Sequence, residues 1–346
     1  MGEPSGIATE ITLKAYQAIH QHSSPEGGLA FYLIDDPARV ETVSRNLGYN
    51  IKISTISSPS ETHAAFKHGM PVLALSRESC QSLQNVSIGK PNTGTAKAFL
   101  ESIELAISHC KSGLSGGVVT NPIQKETLIE SGFKFSGHTE YLGELTNEMP
   151  LLNGMDRGPV MMLACPTLRV AIATTHIPIS NVPKALSRET ITKIGRVVTQ
   201  ALIRDFGIQA PKLAISGLNP HAGEGGKLGT EDLDIIAPAV RGLREMGVNA
   251  IGPLPADTMF HEEARQVYDA ALAMYHDQGL VPIKTLAFHE AVNVTLGLPI
   301  VRTSPDHGTG LNIAGQNIAR PDSLFQAIVL AQHIAINRNA FDQKLA

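Results

Sequence analysis

Three histidines stand in three loops, each soon after an apolar run and each beside turn-forming residues: Thr175-His176-Ile177-Pro178, Asn219-Pro220-His221-Ala222-Gly223-Glu224, and Met274-Tyr275-His276-Asp277-Gln278-Gly279. Three imidazoles on rigid strand ends are the donor set of a catalytic divalent-metal site that keeps positions open for substrate oxygen. The ion stays open at this point. Imidazoles suit zinc, cobalt, nickel or iron, and substrate oxygens can complete the shell of a harder ion such as magnesium. A single loop histidine is usually only solvated, and these spacings follow no local metal signature. Placement at strand ends raises the case for a shared site, because ligands in α/β proteins gather at the carboxyl ends of strands, but at this point a shared metal site and separate solvated or structural histidines both stay open.

Groups able to hold an anion follow the third histidine. Lys284, Asn293 and Arg302 lie in Ile283-Lys284-Thr285, Val292-Asn293-Val294 and Val301-Arg302-Thr303. Alternation places Asn293 on the face opposite its valine neighbours. Two cations and an amide suit a phosphate or carboxylate. Upstream, Gly137-His138-Thr139-Glu140 adds an imidazole and a hydroxyl at an expected helix start, where backbone N–H groups also favour anions. The plainer account is an ordinary N-cap by Thr139 or Ser136. A run of small and turn-forming residues, Ser304 to Gly315, would let backbone approach a ligand closely.

Short apolar runs alternate with longer amphipathic ones, the order of an α/β fold. Strands are expected at Leu29–Ile34, Gly117–Thr120, Val160–Ala164, Arg169–Thr174, Lys212–Ser216, Asp269–Tyr275, Val292–Leu296 and Pro299–Arg302. Val160–Ala164 and Arg169–Thr174 should pair across Cys165-Pro166-Thr167. Helices are expected from Pro37, over Thr93–Cys110, from Pro122 through Ile129, and over Arg188–Phe206, Glu231–Met246 and Ser323–Asn337. The loop Gly2–Gly6 has no strand ahead of it, although an α/β domain commonly opens with one. Either the fold tolerates the absence, or an upstream segment precedes this chain.

The 346 residues suffice for two domains or one large α/β unit. A net charge of −4, with no dense basic block, argues against a nucleic-acid footprint. No segment has the length of a membrane span, and Cys80, Cys110 and Cys165 lack a paired spacing, so reduced thiols and a cytoplasmic location are expected. No G-x-G-x-x-G fingerprint follows an expected strand, and there is neither a P-loop nor a G-x-S-x-G elbow. A dinucleotide would not be held in the usual Rossmann manner, and acyl transfer through a serine elbow is disfavoured.

Taken together, the segments resemble the 4-hydroxythreonine-4-phosphate dehydrogenase family of vitamin B6 biosynthesis. The resemblance rests on Gly2–Ile7, Thr120–Lys125, Ser136–Glu140, Ala173–Pro178, Gly217–Gly226, Gly252–Thr258, Ala273–Gly279 and Asn293–Gly308, in unbroken order along nearly the whole chain. It implies an α/β isocitrate/isopropylmalate dehydrogenase-like fold of two domains, with the active site in the cleft between them. The first domain would comprise 1–132 plus 306–346, with a cofactor loop at 304–315. The second, 133–305, would carry the metal ligands and the interface of a homodimer whose active sites use both subunits.

Carried over by residue, the resemblance implies His176, His221 and His276 as ligands of one divalent ion per site (zinc, magnesium or cobalt). It implies His138, Thr139, Lys284, Asn293 and Arg302 as substrate binders. His307, Gly308, Thr309 and Asn312 would face NAD or NADP. The implied reaction oxidises the C3 hydroxyl of 4-phosphooxy-L-threonine, and the β-keto acid then loses CO₂ to give 3-amino-2-oxopropyl phosphate. Lys284, Asp257 and Asp277 are candidates for the general base. Departures occur at Ala8-Thr9, Asn121 and Gln124, so a related phosphorylated four-carbon acid (4-phospho-threonate or 4-phospho-erythronate) is the alternative substrate. A phosphate acyltransferase-like enzyme and a catalytically silent binding protein are remoter alternatives. The first would not need three strand-end histidines, and the second would be expected to have lost a ligand.

Overall fold

The computed structural model describes residues 1–22, 28–135 and 137–345. Ser136, a candidate cap, lies outside the described residues. Two compact units form: Met1–Met149 with Ile300–Gln332, and Pro150–Pro299 with His333–Ala346. The sequence reading draws the joins at 132/133 and 305/306, whereas these units join at 149/150, 299/300 and 332/333, the last placing the end of the C-terminal helix with the second unit rather than the first. The first shift has a local cause, because the helix His138–Leu145 is tied to the first unit. Tyr141 donates to Glu104 at 2.8 Å, and the His138 ring lies 5.5 Å from that of Phe99.

In the first unit, helix α1 (Ala8–His22) buries Ile11, Leu13, Ala15, Tyr16 and Ile19. Strands β1 (Leu33–Asp35), β2 (Ile53–Ile56) and β3 (Met70–Ala74) make a parallel sheet in the order β1-β3-β2. The expected strand at Leu29–Ile34 is shortened to β1. Its register with β3 begins only at Leu33↔Val72, and Leu29–Ile34 line a cavity of about 350 Å³ whose other wall includes Gly116–Asn121. Helix α2 (Ala96–Lys111) turns Phe99, Ile103 and Ile107 inward, after a short tight turn at Thr93–Thr95. Strand β4 (Val118–Val119) pairs in parallel with Arg302–Pro305. That pairing corrects the expected strand at Pro299–Arg302, since regular pairing starts at Arg302↔Val118 and Pro299 has no N–H to give a ladder. The helix expected from Pro122 begins at Lys125 instead, because Pro122 accepts from the Glu3 amide at 2.9 Å and the Gly2 backbone packs on Asn121.

In the second unit, β5 (Val160–Cys165) and β6 (Leu168–Thr174) form the expected antiparallel hairpin. Four further strands complete the arrangement: β7 (Lys212–Ser216), β8 (Asn249–Leu254), β9 (Ala270–Tyr275) and β10 (Val292–Leu296). The order is β10-β5-β6-β9-β7-β8, with β6, β9, β7 and β8 parallel. Apolar residues throughout Ala270–Met274 reflect a strand covered on both faces. Helix α3 (Arg188–Arg204) starts where Ser187 Oγ accepts from the Thr190 amide at 3.1 Å. Ser187→Ala should therefore cost about 1 kcal/mol. A urea midpoint unchanged from the parent would show that the cap contributes nothing.

The expected helix Glu231–Met246 divides into a wide π-type turn, Asp232–Ile236, and the regular helix Ala237–Glu245. Pro238 supplies no amide to the preceding turn, which favours the irregular start. The last helix, Asp322–Leu345, extends beyond the expected Ser323–Asn337. In its final turns the guanidinium of Arg338 forks onto Asp205 at 2.6 and 2.9 Å, and Arg204 forks onto Asp342 at 2.6 and 2.8 Å. Among the described residues, no helix is long and apolar enough to cross a membrane.

Candidate active site

β9 lies between β6 and β7, so the chain after each of these three parallel strands leaves the same end of the sheet. His176 follows β6, His276 follows β9 and His221 follows β7. Thr174 and Tyr275 are in register across β6 and β9, which explains why the rings of His176 and His276 come to 5.5 Å centroid to centroid. His221 reaches its place by another route. Residues 221–226 all have positive φ: 53° at His221, 49° at Ala222, 82° at Gly223, 44° at Glu224, 64° at Gly225 and 90° at Gly226. Left-handed backbone costs a non-glycine residue about 1–2 kcal/mol, and His221, Ala222 and Glu224 all incur it. Strain of this kind persists only where surrounding contacts impose it.

Carboxylates face two of the imidazoles. Asp277 lies 2.6 Å from Nδ1 of His276, and Glu224 lies 3.2 Å from Nδ1 of His221. Nδ1–H donating to a carboxylate leaves Nε2 as the metal donor, and it orients the ring. The chemistry of these donors fits a divalent ion, although among the described residues no three His, Cys, Asp or Glu side chains are already gathered as a metal-holding set. Asp257 is exposed beyond β8. Lys284 lies on the helix His276–Ala287, rather than near a strand, with Nζ 5.8 Å from the centre of the Phe288 ring. Asn293 is held in β10 opposite Leu163, and its Oδ1 is buried without a partner among the described residues.

The first unit holds the other candidates. Arg302 is 4 % exposed, and its Nη2 donates to Thr120 Oγ1 at 2.7 Å. Burial lowers its pKa to about 10, against an opposing pull from Glu140, so the guanidinium keeps its charge at neutral pH. A buried cation of this kind favours an anion beside it. His138 opens its helix with Thr139 next to it, and its Nε2 is buried with no partner among the described residues. Burial, then the positive charges of Arg302, the N-terminus and Lys125, push the imidazole well below its ordinary value. The unfolded chain therefore takes up a proton on acidification that native His138 refuses. This contribution destabilises the fold as pH falls below about 6.5 and vanishes above it. His138→Gln should flatten the decline in urea midpoint between pH 7.5 and 5.5; an unchanged decline would remove His138 from that balance.

In the expected cofactor loop, Thr309 O accepts from the Ile7 amide at 3.0 Å, and Gly6 lies so close that a side chain there would strike Thr309 O. His307 Nδ1 is 2.9 Å from the carbonyl of Gly308, Gly310 is left-handed at φ 58°, and Asn312 stands exposed in the turn Leu311–Ile313. The departures from the family pattern are absorbed locally. Asn121 donates to Thr12 at 3.0 Å and Gln124 to Glu126 at 3.4 Å. Sequence reasoning missed Glu224 and Thr120 as partners of His221 and Arg302.

Parallel strands presenting histidines at their carboxyl ends mark the chain as an α/β enzyme. The comparisons sharpen that class. A family profile described as "Pyridoxal phosphate biosynthetic protein PdxA" matches residues 30–331, and the chain belongs to this family. It is 48% identical over 337 residues to a 4-hydroxythreonine-4-phosphate dehydrogenase of Caulobacter vibrioides, covering 97% of this chain and 96% of that one. It is 46% identical to the protein of the same name from Methylorubrum populi, covering 97% and 93%. The crystal structure of 4-hydroxythreonine-4-phosphate dehydrogenase from Klebsiella pneumoniae matches with a TM-score of 0.81 at 32% identity, covering 97% and 96%. A terephthalate 1,2-cis-dihydrodiol dehydrogenase from Burkholderia xenovorans matches with a TM-score of 0.62 at 26% identity, covering 96% of each chain.

Proposed function

We propose that the chain is an NAD- or NADP-dependent dehydrogenase that oxidises the C3 hydroxyl of 4-phosphooxy-L-threonine, with loss of CO₂ to 3-amino-2-oxopropyl phosphate. The observation that carries the reading is the placement of His176, His276 and His221 at the ends of three neighbouring parallel strands, in a chain 48% identical to a relative of that name. Nε2 atoms of these histidines would hold a zinc, magnesium or cobalt ion. When bound, the ion supplies a Lewis acid for charge developing on substrate oxygens. Asp277 and Glu224 fix the ring orientations of His276 and His221. Arg302 binds an anionic end of the substrate, and neutral His138 and Thr139 offer hydrogen bonds to it. Lys284 and Asn293 serve as further polar contacts, with Lys284 or Asp257 taking the hydroxyl proton. Asp277, already engaged with His276, is the weaker choice for that step. His307, Gly308, Thr309 and Asn312 face the dinucleotide, which accepts the hydride when bound.

The active form is a homodimer in which both subunits complete each site. One observation supports this: apolar Ile177, Ile179 and Leu228 are exposed on the segments that carry His176 and that follow His221. A substrate panel tests the reading. 4-Phosphooxy-L-threonine, 4-phospho-threonate and 4-phospho-erythronate are supplied with each cofactor, and reduced nicotinamide and CO₂ are measured. The first acid is expected to give the highest kcat/KM. Faster turnover of either other acid would overturn the substrate assignment.

A further inference from the structure

One buried hydrogen-bond chain runs beneath the segments that carry all three histidines. Thr174 Oγ1 donates to Met274 O, the Met274 amide donates to Gln278 Oε1, and Gln278 Nε2 donates to Gly217 O, each at 2.7 Å. These bonds join the end of β6 to that of β9, and the turn after β9 to the end of β7. From Gly217 the next hold is Asp232, which is 1 % exposed. Its Oδ1 accepts from the Leu218 amide at 2.8 Å, and its Oδ2 accepts from both the backbone and the side-chain nitrogen of Asn219, each at 3.1 Å. Glu231 takes a second bond from Asn219 Nδ2 at 2.8 Å.

An acidic residue early in a helix ordinarily satisfies that helix's own amides. Asp232 instead spends its oxygens on the segment entering the His221 loop. The loop is shaped to admit it. A Cβ on Gly217 would come within 2.7 Å of Asp232 Oδ1, and one on Gly223 within 3.3 Å of Oδ2. A Cβ on Gly229 would come within 2.6 Å of Asn219 Nδ2. The carboxylate thus fills a cradle of glycine backbone directly under the left-handed run, and supplies the contacts that such a run needs to persist.

We infer that Asp232 and Gln278 are positioning residues: Asp232 clamps the left-handed loop that presents His221, and Gln278 ties that loop to the turn presenting His276. Neither touches the reacting atoms. The inference rests on the metal-site reading above, and its test separates the two. Hydrogen–deuterium exchange over residues 217–229 in metal-free protein reads the clamp. Titration with Co²⁺, followed by calorimetry and by the visible spectrum of the bound ion, reads the mutual placement of the histidines.

Asp232→Asn puts an N–H donor against N–H donors, and is expected to raise exchange over 217–229 and to weaken Co²⁺ binding by about 10–100-fold. Gln278→Glu keeps the acceptor for Met274 but loses the donor to Gly217, and is expected to weaken Co²⁺ binding while leaving exchange over 186–204 unchanged. Val198→Ala, a truncation of a buried residue of α3 that makes none of these hydrogen bonds, serves as the control for general destabilisation and should leave Co²⁺ affinity unchanged. If Asp232→Asn fails to fold, Asn219→Ala removes one bond to the carboxylate and supplies the same readouts. Unchanged exchange over 217–229, or Co²⁺ affinity no weaker than in Val198→Ala, overturns the inference. Failure of the parent protein to bind Co²⁺ overturns the metal reading instead, and the exchange arm then decides the clamp alone.

Discussion

Exhaustive chelation should abolish reduction of NAD or NADP by this protein, and added zinc, cobalt or magnesium should restore it. The expectation follows from the strand order β6-β9-β7, which sends His176, His276 and His221 off one end of the sheet, and from the carboxylates at Nδ1 of His276 and His221. An alkoxide formed from an ordinary hydroxyl is far too basic to accumulate at neutral pH without a Lewis acid or a strong base beside it. The described residues offer no substitute of comparable strength, since Lys284 and Asp257 would each act as a single base. The measurement is cofactor reduction before and after dialysis against a chelator, with metal content determined on the same sample. Full activity in a sample shown to be metal-free would end the metal-assisted mechanism.

The second large effect is expected at Arg302. Removing its guanidinium in Arg302→Ala should raise KM for the phosphorylated acid by about tenfold or more, because a charge-assisted contact contributes about 1.5–3 kcal/mol. Two features place the effect in binding. The side chain is 4 % exposed, and burial lowers its pKa to about 10 without discharging it at neutral pH. A charge kept out of water in this way gains most when an anion arrives. Arg302→Lys should recover only part of the loss, since one ammonium cannot both hold Thr120 and fork onto an anion. Steady-state kinetics with substrate varied at saturating cofactor reads the result; an unchanged KM in Arg302→Ala would remove Arg302 from the site.

Much of the second unit was legible because its strands are short apolar runs bounded by turn formers. Lys212–Ser216 and Val292–Leu296 coincide with their expected limits, and the β5–β6 hairpin pairs as the turn at Cys165–Thr167 predicts. The positions of His176 and His276 followed from the same signal, a ligand type directly beyond a buried strand. Helix α1 was hidden because Thr9, Glu10 and Thr12 are buried beside its apolar residues, which blurs the helical period. Lys284 stands on the helix His276–Ala287, which runs through Pro282, a residue that argues against a helix in sequence. The path of the His221 loop was also illegible. Alanine and glutamate carry no preference for positive φ, and the cause sits ten or so residues away in Asp232, whose position in the sequence reads as a routine acidic helix start.

That left-handed run has a consequence for how the chain can vary. Its backbone is the mirror image of an ordinary helical turn, so the rules of substitution invert within it. Between residues 221 and 226, glycine is admissible where it would weaken a helix, while valine, isoleucine and threonine are excluded whatever room surrounds them. A D-alanine installed at position 222 by chemical ligation would adopt the observed angles without strain, whereas an L-residue adopts them only under restraint. The stretch is thus a heterochiral island in the molecule, where the handedness of the building block matters more than its size or polarity.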